Sequence, residues 1–441
     1  MRLRRRLFLG ASLAALTGCG EDGWFGDPEK RLPGDRKSVI LLDETPTADE
    51  RLANLEVVLP PPEANRDWPM SGGTPSHAPG HLDVPETISQ AWSTDIGAGS
   101  DRRERLLASP IVGGGRVFTV DADGVVGAFS TADGRKQWTA EPDEIERADR
   151  LRSGGLAFAG DRLFVTFAHG DVLALDGASG SEIWRQRLQA PLRANPTVAE
   201  DLVLVVTADN QTFALATADG TIQWRHAGTF EQASLLGGAA PAVDQGTVIV
   251  AYSSGEVFAL GLVDGSPIWT DSVLRPRRTL AIGSISDIVG DPVISEGRVI
   301  VAGNSGEMAS FDLLQGGRVW DLQITSRNTP WVVGDFIFAL TDRNYVVCLL
   351  RQGGRIRWVQ ALDAVTEGEK EPPPPGRWVG PILAGDRLVL ASSRGEVASL
   401  SPYTGEVLGK AEVGGPVSLS PIAAERTVFF LTDSGTLLAF R

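Results

Sequence analysis

The sequence is punctuated by a glycine followed four positions later by a tryptophan: Gly134 and Trp138, Gly180 and Trp184, Gly220 and Trp224, Gly265 and Trp269, Gly316 and Trp320, Gly354 and Trp358. Successive tryptophans stand 46, 40, 45, 51 and 38 residues apart, a period that marks a propeller blade or a solenoid unit. Within one unit, Gly154–Gly155 opens a short apolar run and Gly160-Asp161 turns into Arg162–Phe167. His169-Gly170 then turns into Val172–Leu175, and Ala178-Ser179-Gly180 leads to the Trp184 strand. Four short strands joined by tight Gly/Asp turns in about 40 residues are the content of one blade. Counterparts of the second strand recur at Arg116–Val120, Leu202–Thr207, Thr247–Tyr252, Arg298–Ala302, Phe336–Leu340, Arg387–Ala391 and Thr427–Leu431, which makes eight units. The last unit, Leu419–Arg441, holds only three strands, and Ala91–Asp95 around Trp92 has the character of its missing fourth. The expected fold is all-β: an eight-bladed propeller of four-stranded antiparallel blades over residues 68–441. Pairing of residues 88–96 with the C-terminal unit closes it and removes the sheet edges an open array would leave. The seventh unit departs from the rule, with Gly409 four residues after Gly405 where tryptophan is expected.

The tryptophans themselves (Trp92, Trp138, Trp184, Trp224, Trp269, Trp320 and Trp358) read as structural, each filling the gap to the neighbouring blade and donating its indole N–H. Seven evenly spaced copies cannot all serve one ligand. Composition narrows the function from the other side. Lys and Arg number 41 against 56 Asp and Glu, a net charge of −15, so nucleic acid, which calls for a basic face, is not an expected partner. Two cysteines, Cys19 and Cys348, and four histidines provide no disulfide framework and little material for a zinc or haem site. Asp121-x-Asp123-Gly124 has the opening of a calcium loop but lacks the later ligands of an EF-hand, and reads as a strand-connecting turn. Gly113–Gly115 does not open a helix, so it is no phosphate cradle. Cys348, inside the apolar run Tyr345–Leu350, reads as a small core residue. Neither a metal nor a cofactor is expected.

The N-terminus is an address. Arg2, Arg4, Arg5 and Arg6 precede an apolar run from Leu7 to Leu16, the basic and hydrophobic regions of a secretory signal. The run is too short to span ~30 Å of hydrocarbon. It ends Leu16-Thr17-Gly18-Cys19, which resembles the lipobox of bacterial lipoproteins, so residues 1–18 are expected to be removed and Cys19 acylated. Arg5-Arg6-Leu7-Phe8-Leu9 also resembles a twin-arginine signal, although the general secretory route is the expected one. Gly20, in place of aspartate, favours the inner leaflet of the outer membrane. Residues 1–18 carry four arginines and no acid, so the remainder stands at −19. Residues 19–67, rich in Asp, Glu and Pro, are expected to be a lipidated, mostly disordered tether.

The repeat of the form Ala/Leu-x-Asp-Gly-x-x-Gly-x-x-x-Trp, best seen at residues 171–184, resembles the pyrroloquinoline-quinone (PQQ)-type propeller repeat. Two families share it: periplasmic quinoprotein dehydrogenases, and the BamB family of outer-membrane protein assembly lipoproteins. The resemblance runs from about residue 66 to the end, and Asp67-Trp68-Pro69-x-x-Gly72-Gly73 is similar to the lead-in of BamB-like chains. A dehydrogenase of this kind needs a calcium or lanthanide site beside a catalytic aspartate. It often carries a vicinal disulfide, and some members add a Cys-x-x-Cys-His haem motif. This chain has neither cysteine pattern, whereas the lipobox, the eight units and the lack of extra domains fit the assembly factor.

The BamB resemblance implies a non-catalytic scaffold on the periplasmic face of the outer membrane, lipid-anchored and bound to the periplasmic domains of a BamA-like barrel insertase. Unfolded outer-membrane proteins are a further implied partner. A quinoprotein dehydrogenase, or a propeller module for another envelope partner, are the alternatives. In a four-stranded blade the connection to the next blade shares a rim with the second-to-third turn, so segments 187–194, 271–290 and 361–378 should emerge on one face. The family's Leu-Arg element before the third blade falls on Leu192 and Arg193, and its acidic element before the fifth on Asp287. A second aspartate of the family pattern is replaced by Val289, with Asp291 nearby. Leu192 is expected as an apolar anchor for the partner and Arg193 as a planar fork. Asp287 would hold Arg193 or accept from a partner cation. The basic cluster Arg275–Arg278 and the stiff run Pro372–Pro375 lie on the same rim.

Overall fold

The structure is a computed structural model that describes residues 45–102, 104–141, 154–231, 237–273, 287–304, 306–363 and 376–441. Eight antiparallel sheets of four strands occupy residues 111–140, 155–187, 197–227, 242–272, 293–322, 331–361 and 378–412, with the eighth made from both ends of the described chain. In that eighth blade Gln90–Asp95 pairs with Thr436–Phe440, through Trp92 opposite Ala439 and Asp95 opposite Thr436. The expected closure is observed. The strands are short, and their second and third members are almost wholly buried, as in Val248–Ala251 and Val346–Leu349. That is why they read as continuous β-branched runs, whereas the outer strands, as in Ile222–Ala227, are largely exposed around their tryptophan.

The glycine–tryptophan spacing has a physical origin that crosses blade boundaries. Each indole N–H donates to a carbonyl in the third-to-fourth-strand turn of the next blade: Trp92 to Thr131, Trp138 to Gly177, Trp184 to Thr217, Trp224 to Leu262, Trp269 to Leu313, Trp320 to Arg351 and Trp358 to Pro402, at 2.8–3.1 Å. The ring then lies flat on the glycine of that same turn. A Cβ on Gly134, Gly180, Gly220, Gly265, Gly316, Gly354 or Gly405 would sit 2.5–2.7 Å from a carbon of the preceding blade's tryptophan. The same seven residues have φ between +64° and +81°, a region that penalises any side chain. Glycine is thus required twice over, by the turn and by the ring that docks on it. Five of the tryptophans also pack on a phenylalanine of their own blade, with centroids 5.7–5.9 Å apart.

One seam differs. The eighth blade's third and fourth strands come from opposite ends of the described chain, so no tight turn joins them, and blade 7 has nothing to dock a tryptophan on. At that position stands Gly409, around which there is open space, and the whole outer strand Val407–Glu412 is exposed.

The hole of the ring is closed by the chain itself. Residues 65–82 make one circuit of the innermost strands. They share backbone hydrogen bonds with Glu425 in blade 8, Val112 in blade 1, Phe158 in blade 2, Val243 in blade 4, Ile294 in blade 5 and Gly385 in blade 7, and the Asn65 side-chain amide donates to the Ala423 carbonyl in blade 8. Met70 packs into the blade 2–3 core, and Trp331 of blade 6 donates to Gly80. Innermost strands would otherwise present unpaired N–H groups to the channel, and the circuit satisfies them.

Residues 45–67, expected as part of a tether, lie on the ring: Asp49 binds Arg355 at 2.8 Å and takes the Ile356 carbonyl through its N–H, Arg357 donates to Leu55, and Leu52 and Val57 are buried. Single apolar residues spaced by Pro and Glu carry no periodicity, which is why this strap reads as unstructured. The signal region 1–18, Cys19 and residues 20–44 lie outside the described residues.

Candidate functional site

The antiparallel blades give the disc two unlike faces. First-to-second and third-to-fourth-strand turns form a turn face, along which the strap 45–67 runs. Connections between blades, with the second-to-third turns, form a loop face. There the circuit becomes the floor of a funnel of about 950 Å³, with Trp68, Met70, Ser71 and His77 below and the interblade loops as walls.

Of the three residues singled out in the sequence, Leu192 and Arg193 line that wall and Asp287 lies buried behind it. Arg193 donates from Nη2 to both oxygens of Asp287, at 2.7 and 2.8 Å, and from Nε to the Gly237 carbonyl at 2.8 Å. Its side chain is 7% exposed and that of Asp287 0%. The pair therefore bridges the loops that precede blades 3 and 5 and traps the loop before blade 4 beneath it. A Cβ at Gly238 would lie 2.5 Å from Arg193 Nε, so only glycine lets the arginine cross. Nη1 of Arg193 is buried with no hydrogen-bond partner among the described residues. Breaking a pair this buried by deleting one member costs about 3–5 kcal/mol, because the other charge is left unpaired.

Leu192 does not stand ready as an anchor. It is 4% exposed and belongs to the core between blades 2 and 3, with Phe164, Val198 and Val205. The loop folds down because Leu192 bridges to Thr207 while the Arg193 N–H reaches the Val206 carbonyl. Of the two roles expected for Asp287, the structure shows the first: it holds Arg193, and the pair shapes the wall. Asp291 is likewise engaged, accepting from the Ala240 N–H at 2.7 Å and Ser71 Oγ at 2.6 Å.

Exposed charge on the rim comes from residues the sequence reading did not select. Arg327 pairs with Asp342 at 3.1 Å, while Arg105 and Arg377 are exposed. The signal was present: Arg105, Arg193, Arg327 and Arg377 each fall within six residues ahead of a blade's first strand. Arg275–Arg278 and Pro372–Pro375 lie outside the described residues. Asp121 and Asp123 stand at a strand-connecting turn, as expected. Asp121 accepts from the N–H groups of Ala98 and Val125, and burial raises its carboxyl above the usual range despite those bonds. Cys348 is a buried thiol, pushed up by burial. Among the described residues no three His, Cys, Asp or Glu side chains converge as a metal set would.

A family model described as outer membrane protein assembly factor BamB matches residues 85–155 and 144–360. The chain belongs to the BamB family. It is 26% identical over 359 residues to the outer membrane protein assembly factor BamB of Yersinia pestis, covering 80% of this chain and 88% of that one. The Escherichia coli BamB is 26% identical over 356 residues, with the same two shares. Among solved structures, BamB from Moraxella catarrhalis superposes with a TM-score of 0.68 at 19% identity, over 80% of this chain and 100% of that one. A quinohemoprotein alcohol dehydrogenase from Comamonas testosteroni reaches 0.64 at 14% identity, over 85% and 80%. That second likeness is one of fold alone, whereas the BamB likeness extends to sequence.

Proposed function

We propose that this BamB-family chain is a non-catalytic scaffold of outer-membrane protein assembly, anchored through an acylated Cys19 at the periplasmic face of the outer membrane. Its loop face would dock on the periplasmic domains of a BamA-like barrel insertase. The observation that carries the reading is the Arg193–Asp287 clamp. Side chains 94 residues apart, which the family resemblance assigns to partner binding, are buried together in the wall of the one face built from long loops. In this reading the clamp is a positioning device. It fixes the loops before blades 3, 4 and 5 so that the rim, with Arg105 and Arg377 exposed, meets the partner as a preformed surface, and preformed surfaces lose less entropy on binding. The funnel carboxylates are engaged within the fold: Asp291 by a backbone N–H and a serine, Asp342 by Arg327 and Asp433 by Ser418. Unfolded outer-membrane proteins would be secondary partners, pairing along the exposed edge strand Val407–Glu412.

The test is co-isolation of the barrel insertase from membranes by the full-length lipidated chain. Arg193→Ala and Asp287→Ala should each reduce recovery sharply while the circular-dichroism spectrum stays that of a β-propeller. Arg105→Glu with Arg377→Glu should do so without lowering thermal stability. Wild-type recovery by all of these variants would overturn the assignment of the loop face.

A further inference from the structure

The turn face is asymmetric in a way the blade repeat does not require. At the tip of each third-to-fourth-strand turn, one position after the carbonyl that accepts the indole, blades 1, 2 and 3 carry Ala132, Ala178 and Ala218, all exposed. Blades 4, 5 and 7 carry Val263, Leu314 and Tyr403 there, 84%, 59% and 37% exposed. Blade 6 has Gln352, also exposed, and the strap that runs over that blade carries Leu55 and Val58, 39% and 66% exposed. Blades 4 to 7 thus present an arc of protruding aliphatic and aromatic tips, while blades 1 to 3, built from the same turn, present methyl groups.

Single exposed apolar residues need no explanation. An arc does, because turn tips are where a soluble β-protein places polar residues at no cost to its core. What lies against the arc is indicated by the chain. The described body begins at Thr45, and the strap is fastened to blade 6, within the arc, by Asp49 on Arg355. Cys19 lies upstream of this fastening in the sequence.

We infer that blades 4 to 7 of the turn face rest on the lipid bilayer surface, with Val263, Leu314, Leu55 and Val58 reaching into the interface. This rests on the reading of Cys19 as a lipid anchor. Each tip alone binds weakly. The anchor, however, makes the encounter intramolecular, and a tethered weak contact is populated far beyond its free affinity. Apolar tips dipping into the headgroup boundary gain by the burial of their aliphatic carbons, and tyrosine suits the same boundary with its ring in and its hydroxyl out. The loop face would then point away from the membrane, its rim open to the periplasm.

The test uses the full-length lipidated chain on vesicles of three parts phosphatidylethanolamine to one part phosphatidylglycerol. An environment-sensitive fluorophore is placed singly at Val263→Cys, Leu314→Cys or Leu55→Cys, with Ala132→Cys and Ala178→Cys as the opposite half. Cys348 is buried and does not compete for label. The expected result is co-sedimentation of all five, with blue-shifted, brighter emission and quenching by lipid-borne quencher at 263, 314 and 55 only. Co-sedimentation with silent labels, or equal responses from both halves, overturns the inference while leaving the anchor intact. Bright labels at 263 and 314 before vesicles are added would mean that a protein segment or a second copy covers the arc, and also overturns it. Failure to sediment at all defeats the anchor reading, and this inference with it.

Discussion

Seven of the eight seams between blades are built alike and the eighth is not. At the seam between blades 2 and 3, Trp184 donates to the Thr217 carbonyl and lies on Gly220, whose positive φ and missing Cβ accommodate it. At the seam between blades 7 and 8 the ring, the acceptor turn and the receiving glycine are absent together. Only Gly409 remains, in open space beside an exposed strand. The difference shows what the repeat is for. Tryptophan and glycine recur together because each glycine is the landing site of another blade's tryptophan. Where the turn is missing, the tryptophan is missing too, although the four-stranded sheet persists. The blade is specified by strand pattern, and the seam is specified separately by the pair.

The comparison can be broken at several points. The largest effect is expected from Trp184→Ala, a loss of about 3–5 kcal/mol of unfolding free energy, as for other large-to-small aromatic truncations, read from urea unfolding. A loss below 1 kcal/mol would mean the rings are not what joins the blades. Next comes Gly220→Ala, which both strains the backbone and drives a methyl into the indole. A cost of about 1–3 kcal/mol is expected from overpacking of this kind, and it should shrink in the Trp184→Ala background, because the two sites share one contact. At the open seam the same substitution should have the opposite sign. Gly409→Ala lies in a strand with nothing to clash with, and should stabilise by about 0.5–1 kcal/mol through reduced chain entropy. Destabilisation there would show that the seam is closed by contacts of its own.

The smallest effect concerns the strap. Arg355 and then Arg51 hold the Asp49 carboxylate well below the usual carboxylate range. Since the folded value is depressed, the contribution is complete above the unfolded value near 3.9 and disappears as pH falls toward the folded one. Hydrogen exchange at residues 49–57 should therefore accelerate in acid before the blades respond. Asp49→Asn should remove that pH dependence, and an unchanged profile would detach the strap from this ion pair.

How far the sequence spoke follows the same division. Blade number, strand order and ring closure were legible because Gly-x-x-x-Trp and the β-branched second strands repeat at a fixed period, and Trp92 stands one period upstream of Trp138. The strap was not legible, because Asp49 and Arg355 are 306 residues apart and nothing local marks Leu52 or Val57 as buried. The site was half legible. Arg193 and Asp287 were identified and do meet, but Leu192, an apolar residue in a loop, reads equally as an anchor or as core. Only the bridge to Thr207, which turns the loop down onto blades 2 and 3, decides for core. Gly237–Gly238, the floor on which Arg193 crosses, carries no signal until the arginine is seen above it.

The most direct test sets one face against the other: the affinity of the full-length chain for the purified barrel insertase, in wild type, in Arg105→Glu with Arg377→Glu, and in Val263→Glu with Leu314→Glu. Binding weakened by the first pair and unaffected by the second is the result predicted here. Binding abolished by the turn-face pair and untouched by the rim pair would contradict it.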